Sequence, residues 1–283
     1  MADWLARGGL HLSASSVGRF WKRECLRQPP PKASRRDWCL RRADEVRETA
    51  RQIVSRRPGH TIHVDITTVP VLGGFWCPWV PQALAALWPW AWHVVAVTDH
   101  FSRRLVAIEA FRRSPTGKQV CGALDVALGV LGEKPKYIIS DQGVQFRSDY
   151  RDWCDAHRIR PRFGKLFAHG SIARIERFFK SLKYEGLYRI SVPSSAVLMQ
   201  AELIVFGRWY NSFRPHRALG GATPDEIFFG KRSVRRSRRI EPRARYPARG
   251  ARRVPAEHLR LVTKGFEGRA HLEVVRLEID RAA

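Results

Sequence analysis

The stretch TIHVDITTV (61–69) sets a carboxylate in the middle of an alternating strand. Ile62, Val64 and Ile66 fall on one face, and His63, Asp65 and Thr67 on the other. An ionised side chain is costly on a strand with covered faces unless a cation or a donor meets it. The residues that follow supply the covers. WHVVAVTDH (92–100) and RRLVAIEAF (103–111) read as two more strands, predicting an antiparallel meander. TGKQVCGALDVALGVLG (116–132) reads as a helix of about four turns closed by Gly132 and Pro135. KYIIS (136–140) is a compact buried strand running straight into Asp141. SDYRDWCDAHRI is a helix, RPRF a strand, HGSIARIERFFKSLKYEGL (169–187) a helix capped by Ser171, and residues 195–212 a further helix. Strands followed by alternating helices and strands predict an α/β fold, a mixed five-stranded sheet with helices on both faces.

Charge narrows the partner. Lys and Arg number 51 against 26 Asp and Glu, a formal net charge of +25. Such an excess predicts a polyanion, because each neutralised phosphate releases condensed counterions. Nucleic acid is the first candidate and an anionic membrane surface the second. From Ile66 to Thr98 there is no charged residue, long enough for a membrane span, but Pro70, Pro78, Pro81 and Pro89 with Gly73 and Gly74 would break a lone helix. We read a strand, a Trp-rich loop over 75–92, and a second strand, with no membrane partner. The Trp cluster (Trp76, Trp79, Trp88, Trp90, Trp92) is expected to pack the loop more than to stack on bases. The five cysteines are odd in number and none is spaced CxxC, which speaks against a disulfide framework or a cysteine zinc cluster.

The ends are set apart by composition. Residues 1–45 read as a helical segment in which a turn at Gly8-Gly9 leads to a basic helix. There Val17, Phe20 and Trp21 alternate with Arg19, Lys22 and Arg23, like the second half of a helix-turn-helix. Arg19, Lys22 and Arg23 are its DNA-contact candidates. Residues 46–60 are a linker, 61–190 the core, 191–230 its helical extension, and 231–283 a basic arm with a short β segment. The arm carries 11 Lys or Arg against Glu241 over residues 231–253.

Three acids stand out by position: Asp65 in its strand, Asp141 after YIIS, and Glu176 in a helix otherwise apolar and basic. At about 100° per residue, Ile172, Ile175, Phe179 and Leu182 form one stripe. Glu176, Lys180 and Lys183 border it. That row suits a metal ligand beside phosphate contacts, or equally a surface Glu–Lys pair. Asp99, before His100, is expected to hold a turn. Arg214 to Arg217 read either as phosphate contacts or as a helix cap.

The motifs HVDITTVP around Asp65, VAVTDHFSR (95–103), SDQGVQF (140–146), HGSIARIERFFKSLK (169–183) and WYNSFRPHRALGGATPDEIF (209–228) resemble those of insertion-sequence transposases with a retroviral-integrase-type core, the DDE group of the RNase H-like superfamily. The resemblance spans roughly 60–230. It implies that Asp65, Asp141 and Glu176 are catalytic and hold two Mg2+ (or Mn2+) ions per site. It also implies transposon-end cleavage followed by strand transfer to target DNA, a homo-oligomer on DNA, and a bacterial cytoplasmic, nucleoid-associated setting. His169, Arg177, Lys180 and Lys183 are the DNA contacts it suggests in the core. The competing expectations are a truncated, inactive DNA-binding relic and a nuclease of the same fold. Two departures stand out: 34 residues rather than the usual 35 separate Asp141 from Glu176, and Arg174 replaces an apolar residue, where it is expected either to contact DNA or to disturb packing.

Overall fold

β-branched residues alternate through the first strand, β1 (Thr61–Leu72), and it becomes the centre of the sheet. A computed structural model describes residues 55–85, 87–163, 169–231 and 258–280, with Ser15 alone from the N-terminal segment. The linker up to residue 54, the helix-turn-helix-like segment with Arg19, Lys22 and Arg23, and the arm over 232–257 lie outside the described residues.

β1 pairs antiparallel with β3 (Ala91–Asp99), and β3 with β4 (Leu105–Phe111), giving the predicted meander. The other edge is parallel: β1 pairs with β5 (Tyr137–Ser140), and β5 with β6 (Arg160–Phe163). The order β4-β3-β1-β5-β6 is the expected mixed, RNase H-like sheet. A two-residue strand, β2 (Phe75–Trp76), folds back on the end of β1 across Gly73 and Gly74, both at positive φ, which glycine adopts without steric cost, and a one-turn helix, α1 (Gln82–Ala85), follows.

Each face carries its own core. On one side α2 (Gly117–Leu131) and α3 (Ser148–Ala156) bury Val120, Leu124 and Tyr150 against Ile62, Val64, Val95 and Val97. Thr116 and Gln119 cap α2 reciprocally, and Gly132 ends it at φ 70. On the other side α4 (His169–Ser181) and α5 (Ala196–Ser212) bury Ile175, Phe178, Phe179, Leu203 and Phe206 against Val94, Ala96 and Leu105. His63 and Asp65 therefore face α4. The helix α4 starts at His169, so Ser171 lies within its first turn and is not the cap. It continues as a π-helix over Leu182–Leu187, where the sequence reading expects α-helix throughout. A small helix, α6 (Pro224–Phe228), is closed by the Thr223–Glu226 capping box.

The Trp-rich loop is packed by part of its cluster. Trp88 donates from Nε1 to the Val71 carbonyl at 3.0 Å and covers Cys77, Val80 and Ala85. Trp92 is buried, donates to the Pro193 carbonyl and lies beneath the Arg112 guanidinium. Trp76 meets Tyr184 edge-on. Trp79 and Trp90 remain 67% and 58% exposed, so packing accounts for three of the five tryptophans.

The C-terminal hairpin, β7 (His258–Phe266) and β8 (Arg269–Asp280), returns to the core. Leu272 is buried among the α4/α5 residues, Trp209 donates from Nε1 to the Glu273 carbonyl, Phe213 packs on Phe266, and Arg269 pairs with Glu202. Among the described residues, no helix is long and apolar enough to cross a membrane.

Candidate active site

Three elements deliver the three acids. Asp65 stands opposite Ala96 in the middle of β1. The parallel register matches Ile62 with Ile138 and His63 with Ile139, so its continuation by two residues sets Asp141 beside Asp65. The helix α4 packs across β1 and β5 and carries Glu176.

The environment of Asp65 registers all of them. Burial pushes its carboxyl up to about 7; the Ile66 N–H, donating to Oδ1 at 2.7 Å, opposes the rise; the charges of Asp141 and Glu176 add to it, and Lys183 offsets part. Lys183 is half-buried beside Asp65 and is lowered by that burial. Asp141 is turned toward its own loop, where its Oδ1 accepts the Gly143 N–H at 3.0 Å. A methyl group on Gly143 would sit 3.1 Å from that oxygen and 2.9 Å from Gln145 Oε1, which explains glycine there. Among the described residues, no three His, Cys, Asp or Glu side chains converge tightly enough to hold a metal ion as they stand. The three acids are thus coupled through their charges at longer range, not closed into a coordination set.

The remaining candidates separate clearly. Arg177 and Lys180 are exposed on α4, and His169 opens that helix. Asp99 holds its turn: it accepts the Gly59 N–H at 2.9 Å, and the Ser102 N–H and hydroxyl at 2.7 and 2.6 Å. Arg174 neither disturbs the packing nor points free; its guanidinium donates to the His100 carbonyl at 2.5 Å and ties α4 to that turn. Arg214 makes two 2.6 Å bonds to Glu185, an ion pair that neither reading of that residue anticipated. Sequence reasoning missed Phe178, buried between the predicted stripe positions. It also missed the stacked, buried pair His63–His100, with ring centroids 4.7 Å apart. The only signal for that pair was His63 sharing the Asp65 face.

Two family models, each described as "Integrase core domain", match this chain, over residues 55–166 and 171–224. The chain belongs to the integrase core family. The chain is 28% identical over 141 residues to the transposase InsF for insertion sequence IS3A of Escherichia coli, a match covering 48% of this chain and 47% of that protein. An uncharacterized protein of Caenorhabditis elegans is 34% identical over 101 residues, 35% of this chain and 8% of its own length. The chain thus spans less than half the length of these relatives. Among solved structures, it is similar to the magnesium-bound HTLV-2 integrase catalytic core domain in its trimeric form (17% identity, 62% of this chain and 99% of that one, TM-score 0.47). It is also similar to a chain of a simian T-cell lymphotropic virus intasome (18% identity, 74% and 64%, TM-score 0.49).

Proposed function

We propose that this integrase core is that of a transposase, which cuts DNA at the ends of an insertion sequence and transfers the freed 3′ ends into target DNA. Asp65, Asp141 and Glu176 are its metal ligands. The observation that carries the reading is the convergence of three elements: β1 bears Asp65, its parallel neighbour β5 runs into Asp141, and α4, packed across both, carries Glu176.

The donor set fits magnesium or manganese, hard cations that prefer carboxylate oxygens, with two ions per site. A buried carboxylate raised by two like charges is a group that a cation would relieve. The backbone sets Glu176 and Asp141 on elements adjoining β1. When bound, such ions activate a water or a 3′-hydroxyl and stabilise the leaving oxygen of an in-line phosphoryl transfer.

The chain's own groups prepare the site. The Ile66 and Gly143 N–H groups each fix one oxygen of Asp65 and Asp141, leaving the other oxygen of each for a ligand. Lys183 tempers the negative charge beside Asp65. Arg177 and Lys180, on the open side of α4, are placed to meet phosphates, and the net charge of +25 draws the polyanion in. His169, Arg19, Lys22 and Arg23 belong to the same DNA-contact proposal. Joining an element requires both of its ends in one complex, so a homo-oligomer on DNA follows from the chemistry.

The test is a strand-transfer assay with a duplex carrying the flanking element's end, in magnesium or manganese, with Asp141→Asn alongside. Joined product from the wild type alone supports the reading. Cleavage without joining would make the chain a nuclease, and binding without either product would make it an inactive DNA-binding relic.

A further inference from the structure

At the β3–β4 turn, Arg103 adopts a left-handed backbone (φ 64) unusual for a side chain of its size. Its guanidinium is half-buried and, among the described residues, makes no hydrogen bond or ion pair. Burial lowers its pKa, and the charge of Arg177 lowers it further. Arg174 is lowered likewise, by burial and then by Arg103, with the charge of Asp99 opposing. Three guanidiniums from two elements therefore crowd one another.

The acids nearby are engaged elsewhere. Asp99 accepts the Gly59 and Ser102 donors, Glu185 is paired with Arg214, and Asp225 accepts from Arg104 and Ser212. The other neighbours of Arg103 bring no negative charge, since burial holds the Tyr210 hydroxyl up at about 12 and His216 down at about 3. Three guanidiniums beside one carboxylate, Asp99, leave positive charge in excess, and a protein keeps such a cluster where an anion is to be bound.

The cluster also lies apart from the acids. At about 100° per residue, Glu176 and Lys183 project from the flank of α4 turned toward Asp65, whereas Arg174 and Arg177 project from the flank turned away from it. The hydrogen bond from Arg174 to the His100 carbonyl fixes that second flank against the turn holding Arg103.

We propose that Arg103, Arg174 and Arg177 form a second phosphate site, which takes a DNA phosphodiester on the flank of α4 away from Asp65. The proposal rests on the reading of this chain as a DNA-cutting enzyme. Arginine suits it, because the planar guanidinium grips two phosphate oxygens at once and a half-buried one is already oriented. A duplex held there and at the acids lies across α4, gripped at two places about a helix diameter, roughly 10 Å, apart.

The experiment measures binding of the full chain to a fluorescent mixed-sequence DNA duplex in EDTA, across a series of salt concentrations, so that catalysis plays no part. The variants are Arg103→Asn, which tolerates the left-handed backbone, Arg177→Gln, and the two combined. Thermal melts confirm that each folds. The double variant is expected to flatten the slope of log K against log salt by about 0.9, one phosphate's worth, with weaker binding across sequences. An unchanged slope in a folded double variant overturns the site and leaves the transposase reading standing. If the wild type does not bind DNA, both fall. If Arg103→Asn does not fold, Arg103→Gly, which also tolerates the left-handed backbone, decides by the same slope.

Discussion

Asn211 serves the backbone of Leu105 as a neighbouring strand would: its Oδ1 accepts the Leu105 N–H at 2.8 Å, and its Nδ2 donates to the Leu105 carbonyl at 2.8 Å. One buried carboxamide on α5 thereby closes the outer edge of β4 and fixes the helix against the sheet. Asn211→Ala leaves both backbone groups buried and unpaired, and is expected to cost about 2–4 kcal/mol. Urea unfolding checks this; a loss under about 0.5 kcal/mol would show that water replaces the carboxamide.

Asp65→Asn should separate stability from activity. The carboxyl is raised from 3.8 to about 7, so the folded chain holds that proton more tightly than the unfolded chain. Its contribution is fully present below pH 3.8 and is lost as pH rises through 7. The full shift corresponds to about 4 kcal/mol, and because Asp65 is partly open to solvent a gain of about 1–2 kcal/mol is expected for Asp65→Asn at pH 8 in EDTA. Strand transfer by the same variant should fall more than about a hundredfold. A thermal melt and a joining assay on one preparation read both, and a destabilised Asp65→Asn would contradict the strained carboxylate.

Lys180 and Lys183, three residues apart, should behave differently. Lys180 is exposed, so Lys180→Ala is expected to weaken DNA binding across sequences and flatten the salt slope by about 0.9. Lys183 sits beside Asp65, and its removal leaves that carboxylate less compensated. Lys183→Ala should therefore also weaken strand transfer beyond its loss in binding. Equal ratios of activity to binding in the two variants would count against this.

His216 supplies a pH dependence. Burial, with Arg214 and Arg103 beside it, holds the imidazole at about 3 against an ordinary 6.5. The unfolded chain takes the proton first, so stability is complete above about pH 6.5 and declines as pH falls toward 3, by at most about 1.4 kcal/mol per unit. His216→Gln should lose that share of the slope between pH 6 and 4. Parallel curves for variant and wild type would show that His216 opens to solvent before it titrates.

The legible part of the sequence was its short-range pattern. Alternation around Asp65, the run YIIS into Asp141, and Gly132 after an apolar helix are local signals, and the sheet and two helix layers followed from them. What stayed hidden depends on partners far away in the chain. Arg174 looks misplaced until the His100 carbonyl is brought to it, 74 residues earlier. Arg214 looks like a phosphate contact until Glu185 is seen to take its Nε and Nη2. The π-helix at Leu182–Leu187 follows no spacing rule; Gly186 lies there with the Phe206 ring 2.9 Å from where a Cβ would be, a close approach of helix to helix that propensity does not register.

The docking of β7 and β8 onto α5 changes what the stretch between Lys231 and His258 can do. Lys231 follows the small helix α6, and Leu272 anchors the hairpin in the core, so this stretch is tethered at both ends. The two attachments are independent of each other, one at α6 and one at the hairpin. If the core holds DNA as proposed, cations tethered in this way would meet it at a high effective concentration. A single cut between residues 231 and 258 would leave the hairpin held by its packing alone, without removing a single charge.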